Sequence, residues 1–149
     1  MHIYLTRYYQ SPFVTKSTFD VDGILHLEAR EPSELCAMPF SRLLPLLPSG
    51  TYACQCVPSD LSPITLRVNQ QAVRRPLLIG YDEDKQWQIG RIHIGFADCS
   101  APPEERELIC QRAAFDSLTQ RLYEVYARKE PILLTVIDKI PTAAPEKHN

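Results

Sequence analysis

The chain is poor in glycine, carries no excess of positive charge and has no long apolar run. Five glycines stand against thirteen prolines in 149 residues, and the net charge is −2. A chain with this net charge lacks the excess of basic residues that is typical of nucleic-acid-binding proteins. No stretch approaches the roughly 18 apolar residues of a membrane-spanning helix. We therefore expect neither a nucleic-acid partner nor a membrane span.

Export signals and metal-ligand patterns are also missing. Residues 1–7 show no charged segment followed by an apolar one, which predicts a cytoplasmic protein unless a phage or a secretion system delivers it elsewhere. The five cysteines are an odd number, typical of reduced thiols. Cys54 and Cys56 share a strand face but have no second ligand pair, and no glycine-rich loop opens the helix. We expect no metal site, no nucleotide and no other cofactor.

Apolar runs separated by prolines predict many short strands. With 44% hydrophobic residues, the chain can bury the core of a single domain, placed at residues 1–138. Asp22-Gly23 is the strongest hairpin signal, and residues 139–149, which have nothing to bury, are predicted to be a disordered tail. The segment 43–48 is predicted to be a loop or an edge. The predicted strands cover residues 2–9, 13–21, 24–30, 51–57, 64–68, 77–81, 89–94 and 132–138, the last buried on both faces.

One amphipathic helix is predicted to begin after Ser100, which can cap it, and to end before Pro131. Its apolar stripe consists of Leu108, Phe115, Leu118, Leu122 and Val125. Because such a helix is long for a small domain, we expect a break near residues 110–112. The fold class is α+β and mainly β. It is a curved antiparallel or mixed sheet, or a small barrel-like sandwich, with one C-terminal helix and a final strand.

The residues with the most distinctive chemistry lie in the stretch 90–99. Strand alternation places Arg91 and His93 on one face and an apolar row on the other, which would be anchored in the core. A guanidinium and an imidazole would then lie side by side, near the thiol of Cys99. These groups are the components of a thiol active site or of an anion-binding pocket. A structural histidine and an unreactive loop cysteine explain the same pattern.

Several motifs follow one another along nearly the whole chain. A glutamate-containing stretch at residues 27–31 precedes a Pro-x-Gly-Thr-Tyr turn at residues 48–52. An Arg-Ile-His strand at residues 91–93 is followed by an Arg-Ala-Ala-Phe-x-x-Leu helix at 112–118 and an apolar strand at 132–137. In this order and spacing the motifs resemble domain-of-unknown-function family 5675, which is known from bacteria and phages.

The same motifs are more distantly similar to the catalytic domain of L,D-transpeptidases, in which an Ile-His-Gly strand precedes a loop with a nucleophilic cysteine. The resemblance implies that His93 is the base, Cys99 the nucleophile and Arg91 the group that orients a carboxylate or an oxyanion. Cys110 is the alternative nucleophile. We expect the same cleft to have three further binding residues, Glu28, Tyr52 and Asp98, although Tyr52 also fits a core position with its hydroxyl on a backbone partner.

The chain departs from the transpeptidase pattern at the cysteine. It has no Gly-Cys pair, and Phe96 stands where an asparagine is expected. We therefore expect a binding or interaction domain without catalysis, whose partner is a cell-wall peptide or another protein. The alternative is a thiol enzyme acting on cell-wall peptides. A histidine and a cysteine within hydrogen-bond reach would favour the enzyme, whereas buried or separated cysteines would favour the binding domain.

Overall fold

The fold is described from a computed structural model, which covers residues 1–33, 47–57, 64–68, 77–80, 91–98 and 100–141. A short 3-10 turn, Pro103–Glu105, precedes the helix α1 (Gln111–Arg128). In these residues no helix is long and apolar enough to cross a membrane. The strands are β1 (His2–Gln10), β2 (Val14–Val21), β3 (Leu25–Pro32), β4 (Gly50–Val57), β5 (Ile64–Val68), β6 (Leu77–Gly80), β7 (Arg91–Gly95) and β8 (Ile132–Asp138).

The eight strands of the described residues form one mixed sheet. Their order is β1-β2-β3-β7-β6-β5-β4-β8, and β8 pairs back with β1, so the sheet is closed and barrel-like. The pairs β1/β8 and β6/β7 are parallel, and the other neighbours are antiparallel. This architecture, with a C-terminal helix and a final strand, confirms the predicted fold class.

The hairpin between β2 and β3 turns at Asp22-Gly23, as predicted. Asp22 and Gly23 have φ values of 54° and 66°, and the amide of Ile24 donates to the carbonyl of Val21 at 3.0 Å. Positive φ at both central positions defines a turn whose twist matches that of the two strands. The turn thereby fixes the register of β2 against β3.

The core fills the interior of the closed sheet. Alternate residues of the strands point inward, and the buried face of α1 joins the same apolar cluster. The inward strand residues include Ile3, Leu5, Phe19, Val21, Leu27, Ala29, Ile92, Ile94, Leu134 and Val136. The helix contributes Ala114, Phe115, Leu118, Leu122 and Val125.

The predicted helix start is wrong, and the position at which we expected a break, near residues 110–112, is where the helix begins. Phe96 and Ile109 exchange two backbone hydrogen bonds, of 2.8 and 2.7 Å, so residue 109 is extended rather than helical. Cys110 follows with φ 49°, a left-handed conformation, and α1 begins only at the next residue. Leu108 therefore lies before the helix and not on its apolar stripe.

Strand β8 has the predicted bounds but is not buried on both faces. Leu134 and Val136 are buried, whereas Leu133 between them is 38% exposed. Because the sheet closes on itself, only its inner face is covered here. The predictions for residues 43–46, 81, 89–90 and 142–149 lie outside the described residues.

Candidate functional site

A β-bulge in β1 brings two tyrosines to one face of the sheet. Arg7 pairs with Ser17 of β2 while Tyr9 pairs with Lys16, so Tyr8 is an extra residue on β1. A bulge of this kind bends the strand and re-aims its side chains. Arg7 continues the inward row of β1, and both tyrosines reach groups on the outer face.

The strand register assembles charged side chains beside these tyrosines. Lys16 of β2 pairs with Arg30 of β3, which in turn pairs with His93 of β7. One step along the same face, Glu28 lies opposite Gly95. With Arg106, which follows the 3-10 turn, these residues form what we name the Glu28 cluster: Tyr8, Tyr9, Lys16, Glu28, Arg30, His93 and Arg106.

The centre of the cluster is buried, although Tyr8, Tyr9 and Arg106 are partly exposed, so His93 does not lie in the open cleft that we expected. The apolar side of β7 is anchored in the core as predicted, since Ile92 and Ile94 are buried. The opposite side is covered too, because His93 is only 2% exposed and Glu28 only 4%. The side chain of Arg91 lies outside the described residues.

Glu28 is the carboxylate at the centre of the cluster. Its Oε2 accepts a hydrogen bond from the Tyr8 hydroxyl at 2.8 Å and another from Nη1 of Arg30 at 3.2 Å. Its Oε1 lies 3.9 Å from Nη1 of Arg106, whose guanidinium carbon lies 5.3 Å from the centroid of the Tyr8 ring. Burial, followed by the hydrogen bond to Glu28, raises the pKa of Tyr8. The tyrosine is therefore a hydrogen-bond donor at neutral pH.

A loop, described at residues 97, 98 and 100–108, covers the cluster. The Phe96–Ile109 hydrogen bonds close its base, and Gly95 allows the close approach there. A Cβ added at Gly95 would lie 3.1 Å from the Cβ of Leu108 and 3.2 Å from the carbonyl oxygen of Ile109. The loop also accounts for three consecutive buried residues in β2, at positions 15–17, because it covers the outer face while the core covers the inner one.

Asp98 stabilises this loop, and its charge also acts on Arg106 of the cluster, while its expected binding role stays a prediction. Its Oδ1 accepts hydrogen bonds from the amide of Ser100 at 2.9 Å and from the Ser100 hydroxyl at 2.6 Å. These two bonds, the side-chain one first, hold the pKa of Asp98 below its usual value. Asp98 is exposed, so its contribution is a local turn in the loop.

The loop meets the cations of the cluster with backbone carbonyl oxygens. Nζ of Lys16 donates to the carbonyls of Glu104 at 2.9 Å and Arg106 at 2.7 Å. Nη2 of Arg30 donates to the same Arg106 carbonyl at 2.9 Å. Burial, followed by the charge of Arg30, lowers the pKa of Lys16. The exposed carboxylates of Glu104 and Glu107 raise the pKa of Lys16, but their effect is smaller.

The described cysteines do not join the cluster. Cys54 and Cys56 lie on β4, and burial raises the pKa of Cys54 to about 11 and also raises that of Cys56. Cys110 is exposed and lies at the N-terminus of α1, beyond the Phe96–Ile109 pair, rather than on an apolar helix face. Cys99 lies outside the described residues. Among the described residues no group of three or more His, Cys, Asp or Glu is placed to hold a metal ion.

Tyr52 occupies a core position. It is buried, and its hydroxyl donates to the backbone carbonyl of Pro48 at 2.5 Å, as predicted for a core tyrosine. It makes no described contact with the Glu28 cluster. Sequence reasoning identified Glu28 and His93 but missed Lys16, Arg30 and Arg106. The Glu28-x-Arg30 spacing within one strand, which places both side chains on one face, is the signal that could have found Arg30.

Comparison of the chain with family models, with curated proteins and with solved structures finds no match. The resemblance to domain-of-unknown-function family 5675, and the more distant one to L,D-transpeptidases, therefore stay predictions based on the motifs.

Proposed function

We propose that the protein is a non-catalytic binding domain for a ligand that carries an anionic group, and that the Glu28 cluster is its site. One observation carries the proposal. Among the described residues of the cluster, two cationic side chains, Lys16 and Arg30, are buried beside one buried carboxylate, that of Glu28. The cluster thus holds more buried positive charge than its own carboxylate can neutralise.

An anion would therefore bind Lys16 and Arg30 more strongly than the backbone carbonyls that now contact them do. Burying a cation without a charged partner costs free energy, and a carbonyl dipole offsets only part of that cost. A hydrogen bond that involves a charged group contributes about 1.5–3 kcal/mol, against about 0.5–1.5 kcal/mol for an ordinary one. Carboxylate oxygens placed where the Glu104 and Arg106 carbonyls now lie would satisfy Lys16 and Arg30 better. The ring of Tyr9, 5.3 Å from Nζ of Lys16, forms one wall of this position.

The ligand class that fits both this chemistry and the motif resemblance is a peptide with free carboxylates, such as a cell-wall peptide. Such a peptide offers planar carboxylate groups that a guanidinium binds with two parallel hydrogen bonds. A carboxylate-bearing segment of another protein offers the same group. In either case the domain holds its partner through charge.

The test is the affinity for a fluorescently labelled cell-wall peptide, compared with the same peptide amidated at every carboxyl group. We expect the acidic peptide to bind and the amidated one to lose binding. Lys16→Met should weaken binding about 10- to 150-fold, the equivalent of one charged hydrogen bond. Arg128→Gln is the matched control, because Arg128 is an exposed cation, 69% accessible, paired only with Glu130 in the described structure. Equal binding of both peptides, or of both variants, would contradict the proposal.

A thiol enzyme remains the second candidate because of Cys110. This thiol is exposed at the N-terminus of an 18-residue helix. The preceding residue, Ile109, forms two backbone hydrogen bonds with Phe96, which directly follows β7. The test is the alkylation rate of Cys110 from about pH 5 to 9, with and without His93→Gln. Fast alkylation at acidic pH that is lost in the variant would favour the enzyme. Slow alkylation that does not depend on His93 would exclude this pairing.

A further inference from the structure

The loop described at residues 97, 98 and 100–108 is positioned to compete with the ligand proposed above. We infer that it is an autoinhibitory strap, whose backbone carbonyls occupy the anion site and must leave it before a ligand can bind. The inference rests on the proposed function of the Glu28 cluster. It adds a regulatory step to that function, in which the loop opens before the ligand binds.

The first support is that the strap takes the donors a ligand would need. The carbonyls of Glu104 and Arg106 accept three hydrogen bonds of 2.7–2.9 Å from Lys16 and Arg30. Arg106 itself is tied back into the loop, because its Nε donates to the carbonyl of Ala101 at 2.9 Å. A carboxylate can reach Lys16 only by displacing these carbonyl groups.

The second support is that little apolar burial holds the strap down. None of the described residues between Ala97 and Leu108 is buried, and the 3-10 turn at its centre contributes nothing to the core. Segments that are fixed by polar contacts and bury few apolar groups open at low free-energy cost. By contrast, the base of the strap is fixed by the Phe96–Ile109 pair. The strap can therefore swing from a fixed base.

The third support is the charge of the strap's outer surface. Glu104, Glu105 and Glu107 are exposed on the same segment whose carbonyls face the cations inside. While the strap is closed, an approaching anion meets these carboxylates before it can reach Lys16 and Arg30. When it is open, they move away together. The apparent affinity is then the intrinsic affinity reduced by the fraction of molecules that are open.

The test combines hydrogen exchange of the strap amides with binding of the acidic cell-wall peptide. Asp98→Ala removes the acceptor that holds the turn at Ser100, together with a negative charge that attracts Arg106 of the same strap. Asp116→Ala is the matched control, because it removes the same charge from an exposed position on α1. We expect the peptide to accelerate exchange at residues 100–106, and Asp98→Ala to bind it at least about threefold more tightly than Asp116→Ala.

The outcomes separate the two proposals. If the peptide binds, but strap exchange is unchanged or slower and the two variants bind alike, the strap inference is wrong and the proposed function stands. If neither the wild type nor Asp98→Ala binds, the proposed function fails and the strap inference fails with it. Binding by Asp98→Ala alone would support the strap most strongly.

Discussion

Two hydroxyl groups inside the closed sheet predict an unusual effect of mutation. Thr15 and Ser17 are fully buried, and neither hydroxyl has a hydrogen-bond partner in the part of the chain that the structure describes. A buried hydroxyl without a partner costs about 1–3 kcal/mol relative to solvent. Valine has almost the same shape as threonine and keeps its β-branch, which suits a strand. We therefore expect Thr15→Val to raise the free energy of unfolding by about 1 kcal/mol.

Urea denaturation followed by circular dichroism measures this change. With a slope of about 1–3 kcal/mol per molar urea, the midpoint should rise by roughly 0.3–1 M while the slope is unchanged. Thr135→Val is the matched control, since that hydroxyl lies 2.7 Å from Nε2 of His2 and 3.1 Å from the hydroxyl of Thr51. The control should lose about 0.5–1.5 kcal/mol. Equal destabilisation by both variants would show that Thr15 has a hydrogen-bond partner in solution and refute the reasoning.

Two further predictions concern buried ionisable groups. Arg7 and Glu31 form a buried ion pair with a nitrogen–oxygen distance of 3.3 Å. Because Glu31→Gln leaves the Arg7 charge buried without its partner, it should lower the free energy of unfolding by about 3–5 kcal/mol in urea denaturation. The double change Arg7→Met with Glu31→Leu should recover most of that loss. Burial raises the pKa of Cys54 from 9.0 to about 11, so the folded protein keeps a proton that the unfolded chain releases. Stability should therefore fall as the pH rises through this range, and the fall measured by denaturation should be smaller in Cys54→Ala.

The strands were predictable because their signals are local. β5 and β8 have the predicted bounds, since alternation and flanking turn residues mark them. The Asp22-Gly23 turn was predictable because few residues tolerate positive φ at both central positions. The helix start was not predictable from local signals. It depends on the pairing of Phe96 with Ile109, a tertiary contact that overrides the capping signal of Ser100.

The site was predictable only in part, for a related reason. Glu28 and His93 stand out in the sequence as polar residues within apolar strands. Their neighbours Lys16 and Arg30 join them through the register of three strands, and Arg106 joins through a loop that folds back over the sheet. Because this register pairs residues from different parts of the chain, no single segment of the sequence reveals it. The same loop explains why the predicted open cleft is a buried cluster.

The most direct test of the central claim is a nuclear magnetic resonance titration of the isotope-labelled protein with the acidic cell-wall peptide and with its amidated form. We expect the acidic peptide to shift the resonances around Lys16, Glu28, Arg30 and residues 100–106, and the amidated form to leave them unchanged. In Lys16→Met the same shifts should require a higher concentration of the acidic peptide. Shifts elsewhere on the protein, or equal shifts with both peptides, would contradict the assignment of the Glu28 cluster as an anion-binding site.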